Sequence, residues 1–125
     1  MKEYTVKVYD NRTLWYLNGK LHREDGPAVE WNNGNKEWFL NGKRHREDGP
    51  AVEFVHGSKY WFLNDKRHRE DGPAIEFANG SKSWWLNGKK LTEAKFNAKM
   101  NPVELTLDEI ASKFGISVSQ LKIRK

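Results

Sequence analysis

The sequence predicts a mainly β protein, an antiparallel meander or solenoid of four hairpin repeats with a small C-terminal helical cap. Three observations carry this. A 23-residue unit recurs without insertion or deletion, marked by Trp15, Trp38, Trp61 and Trp84. Each unit alternates short aromatic-rich runs with Asn-Gly and Asp-Gly-Pro punctuation, and after Lys90 that punctuation gives way to helical apolar spacing. A fixed period of this length marks architectures in which each unit buries its apolar face against its neighbours.

Taken in order, Met1 to Asp10 alternates polar and apolar residues as a strand does, and lacks the apolar block of a secretion signal. This strand and the units 15–37, 38–60, 61–83 and 84–90 form an array over 1–90, and residues 91–125 form the cap. Within a unit, Lys36-Glu-Trp-Phe-Leu40 and Ala51-Val-Glu-Phe54 read as strands. Asn41-Gly42 between them is a type I′ hairpin turn, which needs positive φ at both central residues. Asp65 stands where the third unit should have that glycine, so a strained or altered turn is expected there. Asp48-Gly49-Pro50 and the glycines at 34, 57 and 80 supply the other reversals.

Alternate strand residues face alternate sides, so Trp38 and Leu40 share one face and Glu37 and Phe39 the other. Trp15, Leu17, Val29, Trp31 and their repeats are assigned to the hydrophobic side. Tyr16, Phe39, Phe62 and Trp85 then form a second aromatic stripe on the opposite face. Either that stripe packs against charged stems or the C-terminal segment, as large aromatics commonly do, or it is an exposed ladder of rings for a partner. Positions that change between units are further binding candidates, because the scaffold does not determine them. Arg44, Arg67, His56 and Tyr60 stand out among them, since Arg and Tyr are favoured interface anchors.

Three units carry His-Arg-Glu-Asp-Gly-Pro, beginning at His22, His45 and His68. Histidine beside carboxylates suits acid–base or metal chemistry, but strands lie about 4.8 Å apart, which displaces equivalent residues by roughly 10–15 Å. The three histidines cannot then share one metal, nor can Asp25, Asp48 and Asp71 form a dyad. The block reads instead as a structural ladder, with Arg23, Arg46 and Arg69 paired to carboxylates of adjacent units and the His and Asp side chains satisfying turn backbone. No catalytic residue, metal ligand or cofactor is assigned: there is no nucleophile elbow, no phosphate loop and no cysteine.

The run Asn-Gly-Lys-x-His with a Gly four residues on, as in Asn18 to Gly26, resembles MORN (membrane occupation and recognition nexus) repeats. The resemblance covers Trp15 to Lys89, some 60% of the chain. MORN units place Gly directly after that His, where Arg23, Arg46 and Arg69 sit here. The longer unit Trp-x-Leu-Asn-Gly-Lys-x-His-Arg-Glu-Asp-Gly-Pro-Ala resembles repeats of small proteins from tailed bacteriophages and large DNA viruses. What the resemblance implies is a non-enzymatic binding array of viral origin, with no particular ligand.

Charge narrows the partners. The net charge is +5, but residues 89–125 hold eight basic against four acidic groups, leaving 14 against 13 in the other 88 residues. The array itself therefore lacks the basic footprint of a phosphate-backbone binder. No stretch is apolar enough to span a membrane, and the absence of cysteine fits a reducing cytosol. In the C-terminal segment, Thr92 caps a helix carrying Phe96 and Met100 that stops at Asn101-Pro102. Thr106-Leu-Asp-Glu109 opens a second, with Leu107, Ile110 and Phe114 on one face and Gly115 at its end, and Ser117-Val-Ser-Gln120 caps a further turn. The stretch Thr106 to Leu121 resembles the two-helix core of helix-turn-helix domains and of LysM modules, although each lacks a flanking element here. A cap whose Phe96, Met100, Ile110 and Phe114 cover Trp84 and Leu86 explains the same pattern.

The expectation is a cytoplasmic binding protein, in the host cytoplasm if viral, that binds and inhibits a host protein of defence or regulation. The alternative is binding or sequestration of nucleic acid or of a nucleotide, cyclic or not, by the Tyr16, Phe39, Phe62 and Trp85 stripe with Arg44 and Arg67, aided by the basic tail, base stacking being worth ~1–3 kcal/mol per ring.

Overall fold

The computed structural model describes residues 2–101 and 105–114, Phe114 by its backbone alone. The chain is mainly β, an antiparallel meander followed by two short helices. It runs through β1 (Tyr4–Val8), β2 (Arg12–Leu17), β3 (Lys20–Leu21) and β4 (Val29–Trp31). The second period gives β5 (Lys36–Glu37), β6 (Phe39–Leu40), β7 (Lys43–Arg44) and β8 (Val52–Glu53). The third gives β9 (Lys59–Tyr60), β10 (Phe62–Leu63), β11 (Lys66–Arg67) and β12 (Ile75–Glu76), and the last β13 (Lys82–Leu86) and β14 (Lys89–Leu91). The main ladder is β1-β2-β4-β5-β8-β9-β12-β13-β14; β3 pairs beside β2, and β6–β7 and β10–β11 are two-stranded ribbons.

The repeated tryptophan explains this branching. Trp38 N–H donates to the Ala51 carbonyl at 2.7 Å, whereas its own carbonyl accepts from His45 N–H at 3.1 Å. The strand thus belongs to the main ladder before the tryptophan and to a hairpin arm after it, and Trp15 and Trp61 repeat the switch. Successive arms are bonded in turn, as Arg46 N–H is to the Phe62 carbonyl at 3.1 Å. The arms end in left-handed turns, with φ +52° at Asn41 and +78° at Gly42. Asn64-Asp65 keeps that geometry, with φ +48° and +68°. The strain expected at Asp65 is present, but the turn is not altered. Asp65 N–H donates to the Arg44 carbonyl at 2.9 Å, as the glycine N–H does in the turns at Gly42 and Gly88, and Asp65 Oδ1 adds a bond by accepting from Arg44 N–H at 3.0 Å, which offsets the backbone cost.

The registers correct the sequence-based assignment of faces. Leu14, Val29, Glu37, Val52, Tyr60 and Ile75 lie opposite one another in turn, so they share a face with Phe39 and not with Trp38. Val29 and Trp31 therefore part company with Trp15 and Leu17. Phe39, Val29, Val52 and Ile75 are buried, and Ala28, Val29 and Phe39 form one cluster against which Leu14, Trp15, Leu21 and Trp31 pack. Ala28, Ala51 and Ala74, whose carbonyls accept from the N–H groups of the repeated tryptophans, are 0% exposed, which leaves no room for a larger side chain.

Helix α1 (Glu93–Met100) is capped as expected, Thr92 Oγ1 accepting from Lys95 N–H at 3.1 Å. It packs on β13 with Phe96 buried and Met100 half-buried. Helix α2 (Leu107–Phe114) opens on a reciprocal capping box, Glu109 N–H donating to Thr106 Oγ1 and Thr106 N–H to Glu109 Oε1. Ala111 is buried and Ile110 half-buried, whereas Leu107, on the same helix face as Ile110, is exposed. The readings at Gly115 and Ser117–Gln120, and the likeness running to Leu121, lie outside the described residues. Phe96→Ala is expected to destabilise the protein by about 3–5 kcal/mol, the cost of truncating a buried Phe. Urea unfolding checks this, and a cost below about 1 kcal/mol would mean that α1 does not close the array.

Candidate functional site

Each His-Arg-Glu-Asp-Gly-Pro block folds around its arginine. Arg46 Nε donates to Asp48 Oδ1 at 3.0 Å, and Nη1 donates to the Pro50 carbonyl and to Glu53 Oε1, both at 3.1 Å. The guanidinium carbon lies 3.9 Å from the centroid of the Trp38 ring. Arg23 over Trp15 and Arg69 over Trp61 repeat every contact. The other side of the guanidinium rests on glycine: a Cβ added to Gly49 would fall 2.9 Å from the guanidinium carbon. Gly49 is required by close approach and not by its backbone angles. The expected ladder between adjacent units is thus corrected, because the carboxylates that hold each arginine belong to its own unit.

Histidine makes the link between units. The Nδ1 atoms of His22, His45 and His68 accept from the N–H groups of Asn41, Asn64 and Asn87 at 2.9–3.0 Å, so the ring proton sits on Nε2, 3.5 Å from Glu24, Glu47 or Glu70 Oε1. At the opposite turns, Asn35 Oδ1 accepts from Val55 N–H at 2.8 Å and Ser58 Oγ from Ala78 N–H at 3.0 Å. Among the described residues no three His, Asp or Glu side chains gather as a metal site would require.

The blocks stand up from the tryptophan face, and successive blocks enclose grooves. The first groove, of 650 Å³, has Trp38 and Leu40 as its floor and Arg23–Pro27 and His45–Asp48 as its walls. The second, of 750 Å³, repeats it on Trp61 and Leu63. A third recess, of 460 Å³, is lined by Trp84 and by Glu93, Phe96, Asn97 and Asn101 of the α1 segment, the fourth unit having no arginine block of its own. The rims are carboxylate-rich and open to solvent, the Glu47 and Asp48 side chains being 84% and 87% exposed. Arg46 holds the Asp48 carboxyl below the usual carboxylate range, and Arg69 does the same to Asp71. Since Asp48 and Glu53 already neutralise Arg46, the surplus charge of the rim is negative.

The second aromatic stripe packs. Phe39 is buried, and Tyr16, Phe62 and Trp85 are half-buried. Cations fill the spaces between the rings: Arg44 lies 5.5 and 5.7 Å from the Phe39 and Phe62 centroids, and Arg67 lies 5.9 and 4.9 Å from Phe62 and Trp85. Arg44 Nη2 also pairs with Glu37 Oε1 at 3.3 Å. The stripe is therefore not an exposed ladder of rings, and both arginines are committed to it. Exposed His56 stacks on Phe54 at 5.1 Å, and Tyr60 bridges Phe54 and Phe77 edge-on, so the variable positions His56 and Tyr60 come together in one aromatic cluster.

No family model, curated protein or solved structure matches this chain. The groove itself went unnoticed in the sequence, although its signal is there: Glu24, Glu47, Glu70 and Glu93 share the 23-residue period.

Two outcomes follow from the arginine sandwich. Gly49→Ala should cost about 1–3 kcal/mol, because the pinned guanidinium must leave its ring and carboxylates to make room. The same change in an Arg46→Ala background should cost well under 1 kcal/mol. A double-mutant cycle by chemical denaturation reads the difference, and additive costs would show that Gly49 serves another purpose. The second outcome concerns pH. The folded Asp48 and Asp71 carboxyls titrate below their unfolded value near ~3.9, so their contribution is complete above about pH 5 and is lost as pH falls through the folded values. Asp48→Asn with Asp71→Asn should flatten the acid limb of a stability–pH curve, and an unchanged limb would disprove the assignment.

Proposed function

We propose that the chain is a non-catalytic repeat array that binds a partner protein through the open grooves of its tryptophan face. One observation carries this: the same groove occurs twice, with a Trp–Leu floor and solvent-exposed carboxylate rims, of which Glu47 and Glu70 meet only their own histidines among the described residues. Concave sites with an apolar floor and a few polar groups on the rim are where ligands bind. A site repeated at a fixed interval suits an extended partner better than a single small molecule. The resemblance of the repeat to viral proteins implies no particular ligand, and a host protein that the chain inhibits is the partner we propose from a viral origin. Nucleic acid is the weaker reading, because the rims repel phosphate and the rings of the opposite face are occupied by arginine.

Immobilised protein should retain a stoichiometric protein from host lysate. Leu40→Gln with Leu63→Gln should reduce retention at least tenfold, and His56→Ala with Tyr60→Ala should leave it unchanged. The reverse pattern, or quenching of tryptophan emission by oligonucleotides at micromolar concentration, would overturn the proposal.

A further inference from the structure

The groove reading leaves the chemistry of the partner open, and the structure carries it one step further. Resting on that reading, we propose that the grooves take a basic, extended segment of the partner, with Lys or Arg side chains three residues apart and each cation seated on the glutamate of one rim.

The chain itself shows how a cation sits there. Lys2 forms an ion pair with Glu24, the first glutamate of the row, and holds that carboxyl ionised. Two residues on, Tyr4 meets Trp15 edge-on at 5.9 Å and lies 6.2 Å from His22. A lysine on the rim and an aromatic ring beside the repeated Trp and His thus complete the first position of the array. Glu47 and Glu70 stand one and two periods further on, and each meets only the Nε2 edge of its own histidine among the described residues. Among the described residues no lysine forms an ion pair with either of them. Every arginine of the blocks is neutralised by two carboxylates of its own unit, so the charge these glutamates add is surplus.

Spacing selects the form of the ligand. Each period contributes two strands to the main ladder, which sets the rims roughly 10 Å apart. A polyproline II segment rises about 3.1 Å per residue and turns once in three, so side chains at i and i+3 point the same way about 9.3 Å apart. Residues three apart on a β-strand point to opposite sides. Such a segment laid along the array would drop successive cations onto Glu47 and Glu70 while its apolar stem crosses Trp61 and Leu63. Because the rims are exposed, the attraction is screened by salt and depends on engaging both at once.

Fluorescence anisotropy with a labelled peptide of four Lys-Pro-Pro repeats tests this. At low salt it should bind at least tenfold more tightly than a peptide with the same four lysines spaced by four prolines, and a Glu-Pro-Pro peptide should not bind. Glu47→Gln with Glu70→Gln should weaken binding at least tenfold, whereas the charge-matched Glu3→Gln with Asp108→Asn should not; thermal melts confirm that both variants fold. Equal affinity for the two lysine spacings, or indifference to the rim substitutions, would overturn the proposal as bulk charge attraction. Should no lysine peptide bind while lysate retention still depends on Leu40 and Leu63, the basic-segment proposal fails and the groove reading stands.

Discussion

The array depends on a guanidinium held between a tryptophan ring and a glycine. Arg46 ties the loop, through Asp48 and the Pro50 carbonyl, to Glu53 in β8 and to Trp38 at the strand junction. One side chain closes the unit. The contact with the ring adds about 0.5–2 kcal/mol depending on its desolvation, and the stem covers apolar surface that would otherwise face water. Around it the rest of the block becomes intelligible. Glycine admits the guanidinium, aspartate and the proline carbonyl hold it, the fully buried Ala51 lets the loop return close to the sheet, and His45 joins the unit to the next. Only the glutamate is left with little structural work, Glu47 meeting no more than the Nε2 edge of His45 among the described residues.

Between units the bonds are polar, directional and repeated. The histidine of one unit accepts from the next unit's turn, the side chain at Asn35 or Ser58 accepts from the next unit's backbone, and the arginine N–H reaches the next arm's carbonyl. With only 37% apolar residues, the chain could not hold a compact globule together by burial alone. A linear array avoids that demand, since each unit needs only its neighbours. The cost is open ends. β1 pairs along its whole length with β2 at one end, and α1 packs on β13 at the other, with Phe96 lining the same recess as Trp84.

Much of this was legible in the sequence, for definite reasons. Invariant spacing announced the array, Asn-Gly announced the left-handed turns, and Thr92 and Thr106 announced the helix starts. The faces were not legible, because β3 and β4 are separated by a loop whose residue count says nothing about which side the chain returns on. Val29 and Trp31 were therefore placed with Trp15, when their register sets them beside Leu14 and Glu37. The arginine pairing was misplaced between units for a related reason. Glu30, seven residues beyond Arg23, reaches it only because the loop folds back over its own strand. Asp65 looked disruptive because a turn position was judged by its backbone alone, and its side-chain bond to Arg44 N–H is a contact across units.

The two faces of the sheet divide the labour that the sequence had joined. On the face of Phe39 and Val52, aromatic, aliphatic and guanidinium groups fill one another's space, so substitution there acts on stability. On the tryptophan face the blocks prop the surface open, and identical blocks at a fixed pitch leave identical gaps. Those gaps are a consequence of how each unit holds itself together, because a loop folded tightly around its own arginine cannot also lie down on the neighbouring tryptophan. A repeat stabilised by contacts inside the unit must therefore expose the surface between units. Regular grooves with a regular row of glutamates follow from that constraint, whatever the partner that fits them.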